Sequence, residues 1–491
     1  VNLGRAVDPR GAPDAPAIVD LLDPAAPRTF SYAAFDAACD AAGRGLLRRG
    51  LPAGSRIAIL SGNRVEVLVW FMGAMRAGLV AVPINHKLPA ATVAFVLRDC
   101  DARLALADAA RAALCPPDLP CVLLGTPDED ALADPGPLAP LAKAPDAAAM
   151  FLYTSGSTGR PKGVVLSHAS HLWVLQQRMR PAAAPRERWL VAAPLYHMNA
   201  LAVCQSALAQ GDTVILLPGF TALSYIDAID AHRPTALTSV PTMMAMLLRE
   251  PARLARADLA SVRSLRMGSA PVSPALVDGL RRWFPTVAMT NGYGTTEAGP
   301  VVFAPHPDGR KTPPLSVGVR HPAVDLRLAG GEDEGVLEMR CPALMIGYHN
   351  LPEATARAMT ADGFYVTGDV FRRDADGFFY FVGRADDMFV SGGENVYPGE
   401  VEKMLETHPA IRQAAVVPID DELKGQKPVA FVVADPAAGL SEAEVRAYAL
   451  AHAAPYLHPR RVWFLDELPL AGTNKIDRRA LAEMAARGGD A

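Results

Sequence analysis

Short aliphatic runs alternate with longer Ala- and Leu-rich stretches through the first two thirds of the chain. RIAIL (56–60), LVAVPI (79–84), ARLALAD (102–108), WLVAAP (189–194), TVILLP (213–218) and TALTSV (235–240) each have the length and β-branched or aliphatic content of a buried strand. Strands spaced by helical stretches predict α/β architecture: a large N-terminal domain of β-sheets covered by helices. The most apolar segment, VEVLVWFMGAMRAGLVAVPIN (65–85), is almost long enough to span a bilayer, but it holds Arg76 near its middle and Pro83 near its end. It reads as a buried helix running into a strand. The Pro- and Asp-rich stretch 115–147, with one strand-like run inside it, reads as surface loop.

After GRADD (383–387) the pattern changes. A Gly pair, an amphipathic helix (PGEVEKMLETHP, 398–409), two strands (AAVVPID and VAFVVA) and a further helix (SEAEVRAYALAHA) make a small α+β domain of about a hundred residues. The expected division is 1–383 for the large domain, 384–387 for a hinge and 388–491 for a small mobile lid domain.

The chain's 491 residues exceed one ordinary core, consistent with several compact units. Charged residues make up 20% and the formal net charge is -4, which argues against bulk nucleic-acid binding. Cys39, Cys100, Cys115, Cys121, Cys204 and Cys341 show no CxxC pair and read as buried thiols in a reducing compartment, with no disulfide and no structural zinc. No signal-peptide run opens the chain, and the expectation is a soluble, cytoplasmic protein with no membrane contact.

One stretch cannot serve a core. YTSGSTGRPKGV (153–164) packs five hydroxyls, three glycines and a lysine between two strand-like runs. It is not a Walker A loop, because Lys162 is followed by Gly163 and Val164 rather than by a magnesium-binding hydroxyl, and a strand rather than a helix follows. Hydroxyls of Thr154, Ser155, Ser157 and Thr158, free N–H groups at small residues such as Gly156 and Gly159, and the Lys162 ammonium make an anion cradle suited to polyphosphate. A flexible Gly/Ser linker has a similar composition, but a linker does not need flanking strands or a Pro-Lys-Gly ending.

This stretch resembles the phosphate loop of the adenylate-forming superfamily of acyl-CoA synthetases, adenylation domains and luciferases. The resemblance continues in order through MGSAP (267–271), NGYGTTEAG (291–299), YVTGD (365–369), GRADDMFVSGGENVYPGEVE (383–402) and TNKIDR (473–478), and is closest to bacterial acyl- and aryl-CoA ligases. It implies Mg-ATP, coenzyme A and a small carboxylic acid as ligands. Carried over residue by residue, the ATP site comprises 154–159, Lys162, Ser269, Ala270, Pro271, Asn291, Gly292, Tyr293 (a flat face for adenine), Gly294, Thr295, Thr296 (α-phosphate), Asp369 (ribose hydroxyls), Phe381, Arg384 and Lys475. Glu297 is the implied Mg²⁺ ligand, and Lys475, Thr296, Glu297 and Lys162 are the implied catalytic set. Lys475 is to reach the α-phosphate and substrate carboxylate only when the small domain closes. Asn474 stands before it where the family usually has Gly, and Leu457 stands where relatives commonly have Lys. Ser391, Gly392, Gly393 and Glu394 would face the pantetheine arm of CoA after rotation about Asp386.

The implied acyl pocket is formed by His197, Met198, Asn199, Met243, Gly268, Gly292, Gly294, Gly299, Pro300 and Val301, with Met244 and Met246 lining or backing it. Its segments contain no Arg or Lys, so a second substrate carboxylate would lack a partner, and the absence of an Asp near Met198 or Asn199 disfavours an amino acid. The expectation is an apolar monocarboxylic acid, aryl or short-to-medium aliphatic, activated by an AMP-forming acyl-CoA ligase. The alternatives are an enzyme that loads a carrier protein's phosphopantetheine and, from another class, a catalytically inactive nucleotide sensor. A homodimer is left open.

Overall fold

The computed structural model describes residues 1–7, 12–139, 141–155, 160–391, 394–421, 425–471 and 475–488. Six of the aliphatic runs are strands, at Arg56–Leu60, Val80–Pro83, Ala102–Ala107, Arg188–Val191, Thr213–Leu216 and Ala236–Ser239. They belong to two largely parallel sheets. One runs Ala288–Gly292, Ser264–Gly268, Ala236–Ser239, Arg188–Val191, Thr213–Leu216, Pro16–Asp20, Arg28–Ser31; only its last pairing is antiparallel. The other runs Gly347–Tyr348, Pro161–Ser167, Ala148–Ser155, Val80–Pro83, Arg56–Leu60, Ala102–Ala107, Cys121–Leu123. Val80–Pro83, Thr213–Leu216 and Ala236–Ser239 are buried at every position, the condition under which a strand reads as a continuous apolar run rather than an alternating one.

Val65–Arg76 is the predicted buried helix, and Val80–Pro83 is the strand that follows it. It crosses the Tyr32–Arg48 helix closely: a Cβ at Gly73 would come within 2.7 Å of the Ala42 Cβ. Arg76 is fully buried and saturated. Its guanidinium donates to Asp40 Oδ1 at 2.7 Å, Asp36 Oδ1 at 2.5 Å and the Gly4 carbonyl at 2.7 Å. No helix among the described residues is long and apolar enough to cross a membrane.

Two expectations need correction. The stretch 115–147 is not all surface loop: Thr126 caps a short helix, Pro127–Leu132, with Pro at its first position and three acids in its first turn, and Leu132 and Leu138 are buried. Cys121 is exposed and Cys115 only half-buried, while the other four thiols are buried as expected. The alternation also gave no warning of an antiparallel sheet built from residues 303–384, ordered Phe303–Ala304, Gly318–Arg320, Phe378–Arg384, Tyr365–Arg373, Glu334–Arg340, Asp325–Ala329.

The C-terminal region forms its own sheet, chiefly the long hairpin Ile411–Asp421 and Gly425–Ala434, covered by helices Pro398–Leu405, Glu442–His452 and Arg478–Ala486. Val401, Leu405, Val416, Val432 and Val445 make a core there that is separate from the large domain's clusters. The fold is therefore a large α/β domain with a smaller α+β domain.

Candidate active site

A cavity of about 1100 Å³ opens between the two domains. Gly268 and Gly292, at the carboxyl ends of two neighbouring parallel strands, form part of its wall, the usual place for a ligand in an open α/β sheet. The other walls come from the 148–167 hairpin, the strands Tyr365–Arg373 and Phe378–Arg384, and the small domain.

The glycine-rich stretch joins two strands, as the sequence predicts. Tyr153 pairs with Gly163 and Thr154 with Lys162 across the Ala148–Ser155 and Pro161–Ser167 hairpin. Thr154 and Lys162 line the cavity. Gly156, Ser157, Thr158 and Gly159, and the side chain of Ser155, lie outside the described residues. Gly163 is required by packing, since a Cβ there would sit 2.9 Å from the Tyr153 ring. The Gly347–Tyr348 strand pairs with the outer side of this hairpin, Tyr348 opposite Val164. That places the Tyr348 ring 5.1 Å from the Lys162 ammonium, while its hydroxyl donates to Glu297 Oε1 at 2.9 Å. Tyr348 thus bridges the hairpin cation and the predicted metal ligand, a role with no signal in its sequence neighbourhood. Burial, then the Glu297 charge, raises the Tyr348 phenol, so the hydroxyl stays a donor.

Across the cavity, Tyr293 donates to Asp369 Oδ2 at 2.5 Å, and its ring meets Phe371 edge-on with centroids 4.8 Å apart. Burial, reinforced by Asp369, pushes this phenol well above its ordinary value. Asp369 itself is raised by burial, against the pull of Tyr293, Arg384 and Lys475. Arg384 Nη1 lies 3.7 Å from Asp369 Oδ1, and Arg384 Nη2 lies 3.9 Å from Asp386 Oδ2. Lys475 lines the same cavity; desolvation lowers its pKa, Asp369 opposes that, and Arg384 adds to it. The small domain is therefore docked with Lys475 inward. Ser269, Ala270, Pro271, Asn291, Gly294, Thr295, Thr296, Phe381 and Asp386 all border the cavity as well.

On the acyl side, His197, Met198, Asn199, Met243 and Pro300 line the cavity. Burial pushes the His197 imidazole down to about 3, with smaller contributions from Lys475 and Lys87, so it is neutral at ordinary pH. Gly299 and Val301 do not line it. Gly299, at φ +78, closes a tight bridge with Thr295, and Val301 is packed in the core. Met244 is buried in the core of the large domain, and neither it nor Met246 borders the cavity. The absence of cations from the four predicted segments does not carry over to the folded site, because Arg178 and Arg266, from two other segments, line the same cavity. Arg266 could have been suspected from the strand SLRMG, where it is the outward position between buried Leu265 and Met267. Arg178, just past the His168–Gln177 helix, carried no signal.

Of the residues assigned to CoA, Ser391 and Glu394 pair on a small hairpin that does not border the cavity, and Gly392 and Gly393 lie outside the described residues. Among the described residues no cluster of three or more His, Cys, Asp or Glu side chains forms a ready-made metal site.

Comparisons with known proteins agree with this geometry. The profile of the AMP-binding enzyme family matches residues 6–349, and that of the AMP-binding enzyme C-terminal domain matches residues 400–475. A feruloyl-CoA synthase from Amycolatopsis is 36% identical over 443 residues, 88% of this chain and 89% of the relative. A sulfoacetate–CoA ligase from Cupriavidus necator is 32% identical over 490 residues, 95% of this chain and 94% of the relative. Among solved structures, an anthranilate CoA ligase in complex with anthranoyl-AMP superimposes with TM-score 0.89 at 25% identity, covering 99% of this chain and 98% of that one. ATP-bound MatB from Rhodopseudomonas palustris gives TM-score 0.87 at 28% identity over 100% of both chains. This chain belongs to the AMP-binding enzyme family, within the adenylate-forming superfamily, and is an AMP-forming acid–thiol ligase acting on a carboxylic acid.

Proposed function

We propose that the enzyme converts a carboxylic acid with a compact aryl or short aliphatic body to its acyl-adenylate and then to its CoA thioester. The observation that carries this reading is the meeting, in one cavity, of Lys475 from the small domain with Thr154, Lys162, Thr296, Glu297 and Asp369 from the large one. In the first step a carboxylate oxygen attacks the α-phosphorus of ATP, and the bond to pyrophosphate breaks. Two anions must approach, so cations and donors have to be preorganised around them. Lys162 and the Thr154 hydroxyl hold the β- and γ-phosphates, Thr296 holds the α-phosphate, and Lys475 spans the α-phosphate and the attacking carboxylate. Asp369 accepts from the ribose hydroxyls while Tyr293 and Arg384 orient its oxygens.

Glu297 suits the expected Mg²⁺: Tyr348 engages Oε1, leaving Oε2 for a hard cation that typically takes one or two carboxylates plus substrate phosphates. Bound there, the ion would neutralise phosphate charge. In the second step a CoA thiolate attacks the acyl carbonyl and AMP leaves. The small domain rotates about Asp386, withdrawing Lys475 and bringing the Ser391–Glu394 turn to the thiol's path; the absence of Ser391 and Glu394 from the cavity wall in the docked arrangement supports such an exchange. The relatives' names, feruloyl-CoA synthase and anthranilate CoA ligase among them, support an aryl-sized body.

The test is pyrophosphate release with a panel of acids, with and without CoA. Release that requires an acid, with AMP and a thioester formed only when CoA is present, supports the reading. Release independent of any acid would mark a plain ATPase and end it.

A further inference from the structure

We propose that the acid carries a second anionic group, a carboxylate or sulfonate, received by Arg178 and Arg266 on the acyl side of the cavity. This rests on the ligase reading above and narrows its substrate class.

Both guanidiniums border the cavity, and they are near enough that the charge of Arg266 disfavours that of Arg178. Arg266 projects from the Ser264–Gly268 strand across Gly292 of the next strand. A Cβ at Gly292 would lie 2.9 Å from Arg266 Nε and 3.3 Å from Nη2, so the missing side chain is what lets the guanidinium lie there. Arg178 reaches the carbonyl of Ala202 and the hydroxyl of Ser206 only at 3.5 Å each, the outer limit of a hydrogen bond.

Neither guanidinium has a carboxylate partner among the described residues, and none of the cavity's carboxylates contributes to the charge environment of either one. The nearby His171 adds no further positive charge; it is buried, contacts the Met198 sulfur, and is pushed by burial down to about 3. Other arginines of the chain are paired: Arg76 with Asp36 and Asp40, Arg478 with Glu402, and Arg180 with Asp212. Arginine keeps its proton in proteins, so two such cations side by side without an anion are costly until one arrives. The two guanidinium forks bring only donors to this wall, and a planar or tetrahedral oxyanion between them accepts from both.

The experiment measures kcat/KM for pyrophosphate release with malonate, succinate, glutarate, adipate, sulfoacetate and 4-sulfobenzoate. Each is compared with a match lacking the second charge: propionate, butyrate, valerate, hexanoate, acetate and benzoate, in that order. At least one doubly charged acid should exceed its match by at least about 100-fold, since a site built to pair a polar group rejects the analogue that leaves its donors unpaired. Arg266→Met and Arg178→Met should each cut that ratio at least tenfold, and Arg266→Lys should keep part of it; if a Met variant does not fold, the Lys variants decide. Preference for the singly charged acid at every length overturns the proposal, as does an equal loss for all acids, which would assign the arginines to the nucleotide. If no acid yields pyrophosphate, the ligase reading fails separately. Calorimetric titration of the same acids without ATP then decides this one: binding of a doubly charged acid that Arg266→Met abolishes supports it, and no binding overturns it.

Discussion

The crossing of the helices Tyr32–Arg48 and Val65–Arg76 and the acyl side of the cavity both enclose arginine, yet they treat it in opposite ways. Arg76 is surrounded by two carboxylates and two main-chain carbonyls; burial works against its charge, but the neighbouring charges and the hydrogen bonds to Asp40 and Asp36 more than offset it, so its pKa is raised. Arg178 and Arg266 have no carboxylate partner among the described residues, and burial lowers both. A buried cation that the fold itself has satisfied is structural. One left unsatisfied on a cavity wall has its partner elsewhere, and Lys475 lies between the extremes, sharing Asp369 with Arg384 and Tyr293.

The largest effects should separate these classes. Lys475→Ala is expected to cost roughly 3–5 kcal/mol in adenylation with little change in unfolding free energy, measured by acid-dependent pyrophosphate exchange alongside denaturant melts. Unchanged exchange would remove Lys475 from the mechanism. Arg76→Ala should do the reverse, losing roughly 3–5 kcal/mol of stability because Asp36 and Asp40 are left facing a vacated site, while the folded fraction keeps its turnover. If Arg76→Ala proved as stable as the parent, burial with partners would not distinguish a structural arginine here.

Smaller in size, Arg266→Met should leave the unfolding free energy unchanged or raise it by about 1 kcal/mol, since an unpaired enclosed cation is replaced by an apolar chain of similar length. A marked loss of stability in urea would show that Arg266 supports the fold after all.

The smallest expected effect is a pH dependence at the domain interface. Glu406, on the small domain, accepts from the Ala414 N–H at 3.0 Å and borders the interdomain cavity together with Ser273 of the large domain; burial pushes it up to about 7. If docking supplies that burial, it takes up a proton. The docked arrangement is favoured fully below about 4.5, the ordinary value, and that contribution is lost as pH rises through about 7. Glu406→Gln should flatten the part of the adenylation pH profile between these values, and an unaltered profile would show that Glu406 does not report on docking.

Much of this was legible beforehand for particular reasons. Runs such as TVILLP are continuous because the strand is covered on both faces, so strand and sheet type could be read together. The residues of YTSGSTGRPKGV and NGYGTTEAG announce themselves because their chemistry needs small, hydroxylated or charged groups at fixed neighbouring positions. The short helix Pro127–Leu132 escaped because its acids and proline, which begin a helix well, also compose a loop. The antiparallel sheet of 303–384 escaped because its first two strands are only two and three residues long and mostly half-buried or exposed.

By itself the sequence determined the candidate chemistry: a hydroxyl-rich Gly/Lys hairpin, a carboxylate after Gly-Thr-Thr, and a lysine near the C-terminus, all set by local residue identity. Only the tertiary structure decided which charges share a cavity. Arg178 and Arg266 stand 88 positions apart, and neither has a neighbour in sequence that suggests an anion site. They meet because one follows a helix and the other leans across a glycine on the adjoining strand. Long-range proximity of like charges, and the missing counter-ion it exposes, is a property of packing that no local pattern encodes.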